Sequence, residues 1–155
     1  QFIDVPSIDA SIKVWAPSIT GDGAAAPRIS ITEILELLQH DPTLNQIMPL
    51  TKHDNQLWAI NAWKVFEIIR RDVVDRTGKS NKFALGPQGV DWMSDEEFNR
   101  FDRTVNSPAV SGSTARHAVT NRDDASIEPM DRGEVPNFIN RLLERWLRWR
   151  HATET

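Results

Sequence analysis

A chain of 155 residues that is 39% apolar is long enough for one domain with a real core, yet polar enough that part of it should lie outside that core. A net charge of −4 excludes a surface coated in basic charge for naked nucleic acid, although a local basic groove is compatible with it. Without cysteine there is no disulfide framework, thiolate zinc site or cysteine nucleophile, and no apolar run approaches the roughly 20 residues that span a bilayer.

Residues 1–28 show no helical period. Phe2, Ile3, Val5, Ile8, Ile12, Val14, Trp15 and Ile19 are spaced between Pro6, Pro17 and a Gly21-Asp22-Gly23 turn, and the prolines favour an extended arm over a paired strand. So many large apolar groups make poor disorder; the arm is expected to rest on its own domain or on a neighbouring subunit.

Ser30 and Glu33 have capping-box spacing ahead of Ile34, Leu35, Leu37 and Leu38, which predicts a helix up to about His40. Asp41 and Pro42 then read as N-cap and first residue of a short helical piece over 43–48, which Pro49 should end. The central element follows. From Asn55 to Asp75, apolar residues at 100° per residue sweep more than half a helical cylinder, including Trp58, Ala59, Ala62, Trp63, Val65, Phe66, Ile69, Val73 and Val74. Only Arg70 interrupts that arc, so an internal ion pair is expected of it. Thr51 or Asp54 should cap this helix at its start, and Gly78 should be the left-handed residue at its end.

Residues 79–92 read as a loop with a turn at Gly86-Pro87-Gln88-Gly89. Ser94 and Glu97 form a second capping-box pair, starting a helix to about Thr104 that carries Phe98 and Phe101. The polar stretch 105–132 is a linker or second arm, and a last amphipathic helix is predicted from about Pro136 to His151. The fold class is therefore mainly α: four to five helices around the central one, with an arm at 1–28, a helical core at 29–104, a linker at 105–132 and an amphipathic helix within 133–155.

Most apparent motifs dissolve on inspection. Gly78-Lys79-Ser80 looks like the tail of a phosphate loop, but position 73 is valine where that motif needs glycine, and a helix rather than a strand leads in. His40, His53, His117 and His151 lack ligand spacing, and Asp91, Asp95, Glu96, Glu97 and Asp102 read as an acidic helix start. No metal, cofactor or catalytic motif is indicated, and a non-enzyme is expected.

Two basic features remain. Arg70, Arg71, Arg76, Lys79 and Lys82 span the end of the central helix and the loop after it, a candidate nucleic-acid contact although the helix dipole also favours cations there. In the last helix, Trp146 and Trp149 share an apolar half with Phe138, Ile139, Leu142, Leu143 and Leu147, opposite a stripe of Arg141, Arg145 and Arg148. That helix could dock on its own core. Alternatively, together with Phe2, Ile3 and Trp15 of the arm, it could form a subunit interface, since tryptophan and arginine are enriched at such contacts. In outline, an acidic helical body with extended arms resembles, in architecture, the coat subunits of filamentous or rod-shaped viruses. It implies a self-assembling subunit of a virion or cytoplasmic particle, with copies of itself and single-stranded nucleic acid as partners and no membrane. The alternatives are an adaptor that binds a partner protein through the Trp/Arg helix, and an enzyme whose site is scattered in sequence.

Overall fold

The structure is a computed structural model and describes residues 36, 40–51, 57–80, 84–117 and 125–154. The chain is mainly helical, with no strand among the described residues. Its elements are α1 (Pro42–Leu50), α2 (Trp58–Thr77), α3 (Asp95–Asn106), a single turn α4 (Pro108–Ser111) running into a 3₁₀ turn (Gly112–Thr114), and α5 (Glu134–Glu154). Glu36 and His40 are helical as well. The proposed arm with Phe2, Ile3 and Trp15, the Ser30–Glu33 pair, Asp54 and Lys82 all lie outside the described residues.

The caps follow local chemistry. Asp41 opens α1 by accepting the backbone N–H groups of Thr43 and Leu44 on Oδ1, at 2.8 and 3.2 Å. Pro49, expected to end this piece, lies inside it, and α1 continues to Leu50. The lost N–H falls in the final turn, where fraying makes it cheap, and the carbonyl of Met48 is taken by both N–H and Oγ1 of Thr51. Helix α2 starts three residues later than the pattern suggested, with Leu57 rather than a polar residue at its N-cap. It ends as expected at Gly78, whose φ of 67° is left-handed and whose N–H bonds the Val74 carbonyl. Ser94 and Glu97 form the full reciprocal box at the start of α3, each bond 3.0 Å long.

Helix α5 begins two residues before Pro136. Asp131 Oδ1 accepts the N–H groups of Gly133 and Glu134, while Glu134 returns a carboxylate to the Asp131 N–H. The same box logic thus sits at Asp131-x-x-Glu134, and Pro136 is tolerated because first-turn N–H groups have no helical partner.

Packing centres on α2. Ala59, Trp63, Val65, Phe66, Ile69 and Val73 are buried along it. Leu44 and Ile47 of α1 close one side; Phe101 and Val105 of α3 and Phe138, Leu142 and Trp146 of α5 close the others. Four aromatic rings form the middle: Phe101 lies 6.0 Å from Trp63, 5.4 Å from Phe66 and 4.8 Å from Phe138, centroid to centroid. Trp58, on the same apolar arc, is only half-buried and stands under the Arg132 guanidinium.

The loop at 84–93 is more structured than its composition implied. Gly89 and Asp91 donate to the Gly86 carbonyl, Val90 to Ala84, and Trp92 to Leu85, which folds Ala84, Leu85, Trp92 and Met93 into the core. Asp91 takes φ 56° to close this turn, a conformation that Asp tolerates better than most side chains. The 105–132 stretch is likewise tied down where it is described. Thr104 Oγ1 donates to the Met130 carbonyl at 3.1 Å, Arg103 donates to the Ile127 carbonyl, and Arg100 pairs with Glu134 at 2.9 Å. Met130 is buried. Residues 125–131 are therefore clamped to α3 rather than hanging from it, and 108–114 form helical turns rather than irregular chain.

Candidate nucleic-acid and subunit interfaces

The basic residues at the end of α2 do not converge. Arg71 and Arg76 are five positions apart, which turns them about 140° from each other around the axis. Arg71 pairs with Asp75 at 2.9 Å with its side chain 74% exposed, and Arg76 pairs with Asp72 at 3.0 Å. Lys79 reaches back to the Gln88 and Gly89 carbonyls at 3.5 and 3.3 Å and so latches the following turn. Arg70 faces another way, over the Phe66 ring at 5.3 Å and 3.9 Å from Glu67. Burial holds the pKa of its guanidinium below the usual arginine value; Glu67 and Asp102 oppose that shift, and the nearby charge of Arg116 adds to it.

The last helix turns its tryptophans inward. Trp146 is fully buried in the core of its own chain, so it is not available as a subunit contact. Its Nε1 donates to Asp72 Oδ2 at 2.8 Å. Trp149 is half-buried and meets Trp92 edge to face at 5.8 Å. The arginine stripe is also committed: Arg141 to Glu97, Arg145 to the Trp92 carbonyl at 2.7 Å, and Arg148 to Glu144. Arg141 and Arg145 staple α5 to the start of α3 and to the 84–93 turn, while Arg148 pairs along its own helix. The apolar half of the helix serves the domain core, which is where a stripe of large residues at helical spacing goes when a partner helix lies beneath it.

Beneath that helix lies a buried ionic network that periodicity did not reveal. Arg150 meets Asp41 at 2.5 Å and Asp72 at 3.6 Å, with side chains 8, 8 and 12% exposed respectively. Arg150 also stands over the Trp146 ring at 5.4 Å, while Asp72 accepts from Trp146 and from Arg76. One guanidinium therefore joins the N-cap of α1, the later turns of α2 and the end of α5. The available sequence signal was the position of Arg150 itself, four residues after Trp146 and so on the same face.

A second cluster forms where the chain after the 3₁₀ turn folds back on α2. The Arg116 N–H donates to the Val105 carbonyl at 2.8 Å and its guanidinium lies 4.6 Å from the centre of the Trp63 ring. Arg116 is also 3.6 Å from Glu67, and its Nη1 is 3.2 Å from His117 Nε2. Nearby in the chain, Asn106 Oδ1 and Ser107 Oγ are buried with no hydrogen-bond partner among the described residues, as is Trp63 Nε1.

Among the described residues no three metal-binding side chains gather, and no helix is long and apolar enough to cross a membrane. Each described arginine is bound within the chain, to a carboxylate, a carbonyl or an aromatic face. No protein-family model, curated protein or solved structure matches this chain.

Proposed function

We propose that this chain is a non-catalytic, self-assembling structural subunit, most specifically of the coat or nucleoprotein kind, that packs single-stranded nucleic acid in a virion or cytoplasmic particle. The observation that carries this reading is the division of labour between ionic and apolar groups. In the helical body Arg100, Arg141 and Arg150 join one helix to another. The proline-spaced first 28 residues carry eight large apolar side chains from Phe2 to Ile19, a composition that calls for a surface to rest on. On the body, Leu57 at the entry to α2 is a large apolar side chain left 48% exposed. An arm that clasps a neighbouring copy fits this composition.

A partner-protein adaptor working through the last helix draws less support, because Trp146, Arg141, Arg145 and Arg148 are engaged within the chain. Nucleic-acid contact at the end of α2 draws its support from Arg71, whose exposed pair with Asp75 is of a kind worth under about 1 kcal/mol and easily exchanged for a phosphate.

Electron microscopy and light scattering of the purified protein test assembly, and its absorbance at 260 nm reports co-purified nucleic acid. Removing residues 1–28 should leave the helical circular-dichroism signal in place and abolish the large species in sedimentation. Assembly that survives the deletion would refute the clasping role, and a strictly monomeric intact chain would refute the reading as a whole.

A further inference from the structure

Arg70 and Arg116 come from segments 46 positions apart in the chain and converge on one carboxylate oxygen. Glu67 Oε1 lies 3.9 Å from Arg70 Nη2 and 3.6 Å from Arg116 Nη2. Both distances exceed a hydrogen bond, so this carboxylate bridges the two cations without satisfying either. Each guanidinium is seated on an aromatic face, Arg70 on Phe66 at 5.3 Å and Arg116 on Trp63 at 4.6 Å. The Arg116 backbone is pinned to Val105 as well. The two forks are therefore held in place before any ligand arrives. His117 Nε2, 3.2 Å from Arg116 Nη1, accepts from that guanidinium and helps to fix its direction.

We propose that Arg70 and Arg116, flanked by His117, form a cradle for one phosphodiester of a single-stranded nucleic acid, and that Glu67 occupies this cradle in the free subunit. The identity of the ligand rests on the assembly reading above; the cradle itself rests on the geometry. A tetrahedral phosphate presents oxygens in several directions and can accept from both guanidiniums at normal hydrogen-bond length, which one planar carboxylate at the end of a helical side chain does not manage here. Glu67 is 40% exposed and Arg116 35%, so the carboxylate can swing into water as the phosphate enters. Asp102, the other acid near Arg70, already accepts from Asn106 at 2.8 Å and keeps the site from being so positive that it takes any anion. A contact made to phosphate alone carries no sequence information.

The decisive variant is E67Q, because it predicts a gain. Binding of a short labelled oligouridine to the whole chain is read by fluorescence anisotropy across a salt series. E67Q should bind about two- to fivefold tighter than the wild type, the exchange of one weak ion pair expressed as affinity. R116Q should weaken binding in both backgrounds and lower the log–log salt slope by about 0.7. A folded R116Q that binds like its parent would overturn the proposal. If R116Q fails to fold by circular dichroism, E67Q alone decides. Affinity unchanged or weakened in E67Q would overturn the cradle, and so would inorganic pyrophosphate binding tightly where oligouridine does not bind. Light scattering of the same samples separates the two readings. Tighter binding by E67Q in a protein that does not assemble keeps the cradle and removes the assembly reading, whereas assembly with no E67Q effect does the reverse.

Discussion

Arg150→Met tests whether the buried ionic network holds the last helix in place. The substitution keeps most of the aliphatic volume over Trp146 and removes the charge that Asp41 and Asp72 share. Breaking a buried pair by deleting one member costs about 3–5 kcal/mol, because the remaining charge is left uncompensated. Here the stranded carboxylates are not bare. Asp41 keeps two backbone N–H donors, and Asp72 keeps Trp146 Nε1 and Arg76 Nε. The expected loss therefore sits at the lower end of that range, about 3 kcal/mol, which for a domain of this size lowers Tm by about 6–12 °C. Asp41→Asn makes the natural companion change. Asparagine caps a helix as well as aspartate does, so the cap survives while the ion pair is lost. In the Asp41→Asn background the Arg150→Met change should cost about 1–2 kcal/mol less than it does alone, since one stranded charge is no longer there. Urea melts followed by circular dichroism give all four stabilities of the cycle. A cost under about 1 kcal/mol for Arg150→Met, or strict additivity of the two changes, would show that packing alone docks the helix.

Three further outcomes follow from the same structure. Phe101→Ala removes the ring that touches Trp63, Phe66 and Phe138 and should cost about 3–5 kcal/mol in urea melts, whereas Trp58→Ala, at a half-buried site, should cost clearly less. Ser94→Ala breaks a reciprocal cap and should cost about 1 kcal/mol by the same measurement. Changing Arg71 to Gln removes one surface pair, that with Asp75, with little effect on the fold; if Arg71 touches phosphate, the log–log salt slope of oligonucleotide binding flattens by about 0.7, and an unchanged slope moves the contact elsewhere.

What was legible in the chain beforehand was whatever short-range chemistry decides. The apolar arc of α2, the left-handed glycine at position 78 and the Ser94–Glu97 box each depend on residues within a turn or two of one another, and each stands in the structure as the spacing implied. Pro49 misled because the rule against helical proline weakens in a final turn, where the missing N–H had little to lose. The stretch 105–132 misled for another reason. Its apolar content is low, and its described end, 125–131, is held by Arg100, Arg103 and Thr104 reaching from α3 to carbonyls there and to the adjoining Glu134, contacts between residues 24 to 34 positions apart that no local pattern encodes. The same holds for the interface assigned to the last helix. An amphipathic stripe of tryptophans states that something covers it, and whether the cover is the same chain or another is a tertiary fact. Here α2 and the 84–93 turn supply it. Likewise the convergence of Arg70 with Arg116 depends on a fold-back that begins at Gly112, whose φ of 56° with ψ of −135° is open to glycine and to little else.

The charge distribution bears on how such a subunit would meet a nucleic acid. With a net charge of −4 and its described arginines paired internally, a single copy should attract a strand weakly and only over short distances, since unpaired charge is what steers at range. A contact that first has to displace Glu67 is weaker still. Both features are handicaps for a monomeric nucleic-acid binder and advantages for one that should act only in an array. When many copies lie along one strand, each further contact is made at high effective concentration, and a per-copy affinity too low to register alone becomes an avid, register-independent grip. The salt dependence then separates the two regimes. Isolated subunits should show a shallow slope set by one or two phosphates, and assembled ones a steep apparent slope that grows with the number of copies engaged. If the isolated subunit already shows the steep slope, its basic surface is larger than the paired arginines of the described body allow, and the cations of the arm, Lys13 and Arg28, become the place to look.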